Sequence, residues 1–251
     1  MSATVEQVAS GVYRRPDGLV NSYLVVDDDG LAIIDTGWPR SWSKVEQAVT
    51  AIGRSLSDLR SVVLTHGHPD HLGAAETARQ RCRVPVRAHR DEVGRVRGKS
   101  KGASPFALVP GLLPHLWRPS AIGFVLHATR NGFMTPTWVR EVSPFDDGEE
   151  LPVPGRPRAV FTPGHTEGHT AFHLPDRGVL LSGDALVTLD VLSREKGPRL
   201  LPDALTRDPA QARSSLQRLE ALEADILLPG HGEPWHGRPA DAVAQALAGT
   251  R

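Results

Sequence analysis

Between Leu64 and Leu72 the chain reads Thr65-His66-Gly67-His68-Pro69-Asp70-His71, four potential metal donors within six positions. Imidazole nitrogens and carboxylate oxygens are the donors that zinc and its neighbours take, at about 2.0 to 2.2 Å. A turn leaving a strand can aim alternate side chains at one point, and a helix starting next turns the following two elsewhere, so two adjacent metals become possible. Without a cation, donors this dense would carry a heavy desolvation cost. Three later segments repeat one arrangement, an apolar strand ending in a glycine turn that bears a donor: Thr162-Pro163-Gly164-His165, Leu181-Ser182-Gly183-Asp184 and Leu228-Pro229-Gly230-His231. Glycine lets the backbone come close at such turns. The seven donors thus sit at strand ends, where α/β folds place their sites.

The elements that must position these donors are legible from periodicity. Residues 19–26, the turn Asp27-Asp28-Asp29-Gly30 and residues 31–34 read as a hairpin. A helix is predicted over 42–52, from Val45, Ala48, Val49 and Ile52 on one face, then a strand at 62–64, a helix over 74–81 and a strand at 84–88. The alternation returns with strands near 159–162, 171–174, 179–182 and 226–228, and helices near 209–223 and 239–247. From Arg95 to Asp147 the periodicity degrades, while Phe106, Trp117, Phe124, Phe133 and Trp138 accumulate. We read 95–147 as an insertion, mainly irregular or helical, that is either a substrate lid or an extension of the core.

The order His66-x-His68-x-Asp70-His71, then His165, Asp184 and His231, resembles the signature of the metallo-β-lactamase superfamily, and Ile34-Asp35-Thr36-Gly37 matches its first motif. The resemblance runs from about Gly11 to Ala248 and leaves only the insertion without a counterpart. It implies an α/β fold, an αββα four-layer sandwich with the site at one edge of its two sheets. It further implies one divalent ion on His66, His68 and His165, a second on Asp70, His71 and His231, and Asp184 bridging them. Zinc is the expected metal, with iron or manganese as alternatives. A hydroxide shared between the ions would be the nucleophile, and Asp70 would steer its proton to the leaving group. Asp35 is then either a support for the ligand loops or a structural turn residue, and His169 reads as support. The remaining histidines carry no motif.

Because the fold hosts many chemistries, the site must argue for function. A second-site histidine with a bridging aspartate resembles thioesterases of the glyoxalase II type and lactonases, so hydrolysis of an ester, thioester or lactone is expected, on a small-molecule substrate whose apolar portion meets the aromatic insertion. Two other activities fit the family: a mononuclear iron oxidoreductase resembling persulfide dioxygenases, and a metal-dependent phosphodiesterase or nuclease. For the last, Arg95-x-Arg97-x-Lys99-x-Lys101, with Arg87 and Arg90 nearby, could grip phosphates, of RNA or of a coenzyme A thioester. With 29 basic and 29 acidic residues cancelling, the run reads instead as a solvated loop. That balance also leaves no global field towards nucleic acid or anionic membrane, so either partner would need a local patch, and neither is expected. At 39% apolar and 23% charged residues the chain can bury one sizeable core, read as a single domain over 1–251. The N-terminus has no basic start followed by an apolar run, and the lone Cys82 forms no intramolecular disulfide, so a cytoplasmic protein is expected.

Overall fold

The structure, a computed structural model, describes residues 5–100 and 102–249. Seven strands form a first sheet in chain order: β1 (Glu6–Ala9), β2 (Val12–Asp17), β3 (Val20–Asp27), β4 (Gly30–Ile34), β5 (Leu59–Val63), β6 (Val86–His89) and β7 (Ser143–Phe145). Its first four strands are an antiparallel meander, and β4 to β7 run parallel. Between them lie α1 (Trp42–Ala51), α2 (Pro69–Leu72), α3 (Ala75–Cys82), α4 (Val93–Val96), α5 (Val109–Leu112) and α6 (Pro119–Arg130). The second half begins with β8 (Arg158–Phe161), β9 (Thr170–Leu174) and β10 (Val179–Gly183), continues through a ribbon of β11 (Val187–Leu189) and β12 (Lys196–Arg199), and reaches α7 (Pro209–Glu220). It closes with β13 (Ile226–Pro229), β14 (Trp235–His236) and α8 (Pro239–Ala248). The second sheet has the order β14-β13-β10-β9-β8, with β10 and β13 parallel.

Strand side chains alternate faces, and that alternation builds the four layers. On β4, Leu31 and Ile33 pack with Val45, Ala48 and Val49 of α1, while Ala32 and Ile34 face the other sheet. On β10, Val179 and Leu181 complete that inter-sheet core, while Leu180 packs under Leu216 and Leu219 of α7 and Val243 of α8. The result is the expected αββα sandwich of the metallo-β-lactamase type. Strands buried on both faces read as continuous apolar runs, which is why β4 and β10 were legible.

Several elements depart from the sequence reading. The ribbon β11–β12 and the strands β1, β2, β7 and β14 carry no strong apolar alternation and are not predicted. Of these, β7 falls inside 95–147, where it pairs parallel with β6 and returns the chain to the first sheet. The rest of that segment is short helical turns and α6, which form a fourth cluster of Trp38, Ala121, Phe124, Ala128, Phe133 and Leu205. Lys101, the last member of the basic run, lies outside the described residues.

Candidate metal centre

Each donor leaves the carboxyl end of a strand or the loop that follows it: His66, His68, Asp70 and His71 after β5, His165 after β8, Asp184 after β10 and His231 after β13. At those ends main-chain bonds also tie the two sheets together, as where Thr170 N–H donates to the Thr65 carbonyl at 2.9 Å. All seven side chains are buried. Gly230 has to be glycine, because a Cβ there would overlap Asp184 Oδ1 and come within 2.9 Å of His71 Cε1.

The donors meet in three overlapping groups: His66, His68 and His165; His66, His71 and Asp184; and Asp70, His71 and His231. In the first, His66 Nε2 stands 3.0 Å from His68 Nδ1 and 3.3 Å from His165 Nε2, and the last two nitrogens are 2.9 Å apart. Nitrogens about 2.0–2.1 Å from a tetrahedral ion stand about 3.3 Å from one another, so this triangle is close to one face of such a coordination shell. Asp184 Oδ2 occupies the middle, 3.7 and 3.4 Å from His66 and His165 Nε2, and 3.5 and 3.2 Å from His71 and His231 Nε2. Asp70 Oδ2 is 3.8 Å from His71 Nε2 and 3.7 Å from His231 Nε2.

Outward hydrogen bonds decide which nitrogen of each ring is free. Thr65 Oγ1 donates to Asp35 Oδ2 at 2.7 Å, so it accepts from His66 Nδ1 at 3.0 Å and leaves the Nε2 lone pair facing inward. His71 Nδ1 donates to Asp35 Oδ2 at 2.8 Å, and His231 Nδ1 donates to the Leu19 carbonyl at 2.5 Å, with the same consequence for their Nε2 atoms. His71 Nε2 and Asp184 Oδ1 are buried without a hydrogen-bond partner. Burial, with the neighbouring imidazoles, holds His66 and His68 well below the usual histidine range and His165 at about 3, so this triad is neutral. Burial also acts against charge on His71 and His231, but Asp184 and Asp70 override it, joined at His71 by Asp35, and raise both. Inward lone pairs beside buried carboxylates, with positive charge drawn to the centre, are the chemistry of a cation site, and the donor set fits divalent ions.

Asp35, the residue after β4, has φ 57°, a left-handed conformation that aspartate tolerates and that persists where surroundings fix it. What fixes it is its carboxylate, which also accepts from the Thr65 N–H at 2.8 Å and so clamps the His66 loop and His71 together. His169 is turned away from ligation. Its Nε2 accepts from the Asp184 N–H at 2.9 Å, and its Nδ1 donates to Thr162 Oγ1 at 2.8 Å.

Sequence reasoning missed Glu92. Fully buried in the turn after β6, it accepts from Gly67 N–H at 2.8 Å through one oxygen and from Gly168 N–H at 2.6 Å through the other. One carboxylate therefore joins the loop of His66 and His68 to the loop of His165. Burial pushes it up to about 7 despite Arg95 and the two N–H donors. Arg95 in turn corrects the reading of the basic run as a solvated loop: it is 3% exposed, bonds Glu167 at 2.7 and 2.9 Å, and lies beside Glu92. Arg90 is exposed but pairs with Asp146, which leaves Arg97 and Lys99 as the exposed members with no carboxylate partner among the described residues.

A cavity of about 170 Å³ opens onto the centre. His68, Asp70, His165, Asp184 and His231 form its floor, and its walls are apolar, from Leu108, Leu112, Phe124, Val125, Phe133 and Leu205 among others. Among the described residues, Thr129 is the one wall residue with a polar side chain, and no lysine or arginine lines the cavity. Of the six aromatic residues in the insertion, Phe124 and Phe133 line it, Trp138 packs on the helix-side core, Phe145 of β7 lies in the inter-sheet core, and Phe106 and Trp117 face solvent.

Residues 15–231 match the sequence model of the metallo-beta-lactamase superfamily. The probable metallo-hydrolase YflN of Bacillus subtilis (strain 168) is 30% identical over 247 residues, covering 92% of this chain and 88% of that one. A linear primary-alkylsulfatase of Pseudomonas sp. (strain ATCC 19151) is 27% identical across 89% of this chain and 43% of its own length. Among solved structures, a metallo-beta-lactamase family protein from Thermus thermophilus superposes with a TM-score of 0.68 at 30% identity, over 96% of this chain and 81% of that one.

Proposed function

The chain belongs to the metallo-beta-lactamase superfamily, and from that premise we propose that it is a dinuclear metal-dependent hydrolase of an ester, thioester or lactone whose acyl side is apolar and uncharged. His66, His68 and His165 hold one ion and Asp70, His71 and His231 the second, with Asp184 between them. Bound divalent metal, zinc by preference, supplies a water acidified towards neutrality and polarises the carbonyl under attack. The chain's own residues do the rest. Asp70, on the cavity floor, moves the proton from the attacking water to the leaving group. Asp35 and Glu92 fix the donor loops, and the apolar wall orients the acyl chain while keeping bulk water out. The insertion, on this reading, is the substrate's lid.

The observation that carries the reading is the cavity, in which every polar side chain among the described residues except Thr129 belongs to the candidate donor set. A phosphodiester or an anionic antibiotic would bring charge that no cationic wall residue among those described meets, whereas an apolar acyl chain loses nothing by desolvation there. An alkyl sulfate ester is a second reading, favoured by the alkylsulfatase relative and the same apolar wall.

The test is metal quantification on purified protein, followed by p-nitrophenyl esters of increasing acyl length, thioesters, lactones, dodecyl sulfate, a phosphodiester and a β-lactam. Two ions per chain and kcat/KM rising with acyl length are expected. One iron per chain with oxygen uptake on a persulfide, or turnover of the phosphodiester alone, overturns the assignment.

A further inference from the structure

Every large apolar side chain exposed among the described residues falls between Phe106 and Leu126: Phe106, Val109, Leu113, Trp117, Ile122 and Leu126. Their spacing is helical on both sides of the cavity wall. Pro105, Leu108 and Leu112 turn inward to line the cavity, while Phe106 and Leu113, each one position after a lining residue, turn outward, and Val109 borders the cavity with part of its side chain in solvent. On α6, Phe124, Val125 and Ala128 face the cavity, while Ile122 and Leu126 form an outer stripe with Arg118 and Arg130 at its ends, at intervals of four residues. A helical segment apolar all round is expected inside a protein, and here its second face is in water.

The charge of this region is equally one-sided. From Val93 to Arg140 the chain contains seven lysines and arginines and no acidic residue, in a protein whose total charge is zero. Arg95 is buried against Glu167, but Arg97, Lys99, Arg118 and Arg130 have no carboxylate partner among the described residues. Arg118 instead lies 5.0 Å from the Trp117 ring, and Trp117 is 74% exposed. Exposed Trp, Phe and Leu combined with unpaired cations are what a protein lying on an anionic lipid surface presents.

We infer that residues 105–130 dock on an anionic lipid surface, with Phe106, Leu113, Trp117, Ile122 and Leu126 entering the interface and Arg118 and Arg130 held at the headgroups. A second copy of the chain is disfavoured as the occupant, because a twofold contact would set like charges against each other. The cavity lies on the inner side of the same segments, so the surface that binds the protein also holds its substrate's acyl chain. That last step rests on the proposed hydrolase activity, whereas the docking does not.

The experiment is flotation of the metal-loaded protein with vesicles of phosphatidylcholine alone and of equal parts phosphatidylcholine and phosphatidylglycerol. Binding is expected to the second only, and to fall at least tenfold between about 0.05 and 0.5 M salt. R118A/R130A is expected to weaken partitioning by about fivefold per charge, about 25-fold together. L113S/W117S is expected to abolish it, while metal content and melting temperature of both variants stay at the wild-type value. The inference is overturned by no flotation with phosphatidylglycerol at low salt, or by unchanged flotation of both variants. A dimer that L113S/W117S dissociates overturns it in favour of a second copy. Equal or tighter binding of an RNA oligonucleotide overturns it in favour of nucleic acid. Failure of docking would leave turnover of a water-soluble ester intact, so it is distinct from failure of the hydrolase assignment.

Discussion

Glu92→Gln removes a charge and keeps the shape of the side chain, which separates the two things Glu92 does. The folded chain holds this carboxyl's proton up to about 7, against 4.5 for an unperturbed glutamate, because burial outweighs Arg95 and the two N–H donors. The sign follows directly. Between 4.5 and 7 the folded state binds a proton that the unfolded state has released, so this group's contribution is fully present below 4.5 and is lost as pH rises through 7. The whole shift is worth about 3 kcal/mol, and about 2 kcal/mol of it lies between about pH 5.5 and pH 8. Glutamine carries no such proton, whereas the histidines titrate alike in both proteins and cancel from the difference. In urea unfolding of the chelator-treated protein, the advantage of wild type over E92Q should therefore fall by about 2 kcal/mol across that window. Metal retention should move the opposite way. The carboxylate accepts from Gly67 and Gly168 with separate oxygens, and a glutamine must turn an NH2 towards one of those donors. E92Q should then lose about 10–100-fold in metal affinity against a competing chelator. A stability difference that stays flat with pH would mean Glu92 titrates normally, and an unchanged metal affinity would mean the two loops do not need their shared latch.

Two other substitutions probe the centre itself. Asp184→Ala removes the one oxygen that approaches nitrogens of both ion sites, so it should cost activity and the second ion together; near-normal turnover with two ions bound would remove the bridging role. Gly230→Ala drives a methyl into Asp184 Oδ1 and against His71, and should cost about 1–3 kcal/mol and displace bound metal, read by thermal unfolding and by metal content. An unaltered second ion in G230A would show that the His231 loop moves freely.

How much of this was legible in the sequence depended on whether a residue's partners left a mark in the chain. The ligand set did, because donors that share a cation must be dense and must follow strands, and both patterns survive in one dimension. Asp35 was half legible, through its place in the Ile34-Asp35-Thr36-Gly37 motif, but only the bonds from Thr65 and His71 to its carboxylate decide between support and turn. Glu92 was invisible. It sits in Arg90-Asp91-Glu92, a charged triplet that reads as an exposed turn, and its partners are backbone N–H groups, which every residue but proline owns. Arg95 was misread for a related reason, since its partner Glu167 is 72 positions away and nothing local distinguishes a buried arginine from a solvated one.

The insertion exposes a different limit. Periodicity detects a helix as an uninterrupted run with contrasting faces, and Pro105, Pro110, Pro114 and Pro119 break the stretch before α6 into turns of three or four residues. That is why 95–147 reads as irregular, although α6 itself turns Phe124, Val125 and Ala128 to the cavity and Ile122 and Leu126 to solvent. A helix whose outer face could be polar at no cost to the fold, yet is not, carries a constraint that folding alone does not impose. Phe106, Leu113 and Trp117 lie 63%, 60% and 74% exposed and line neither a core nor the cavity. Stability does not require them there, which leaves recognition as the physical reason to hold apolar surface in water, in a stretch of the chain that has no acidic side chain.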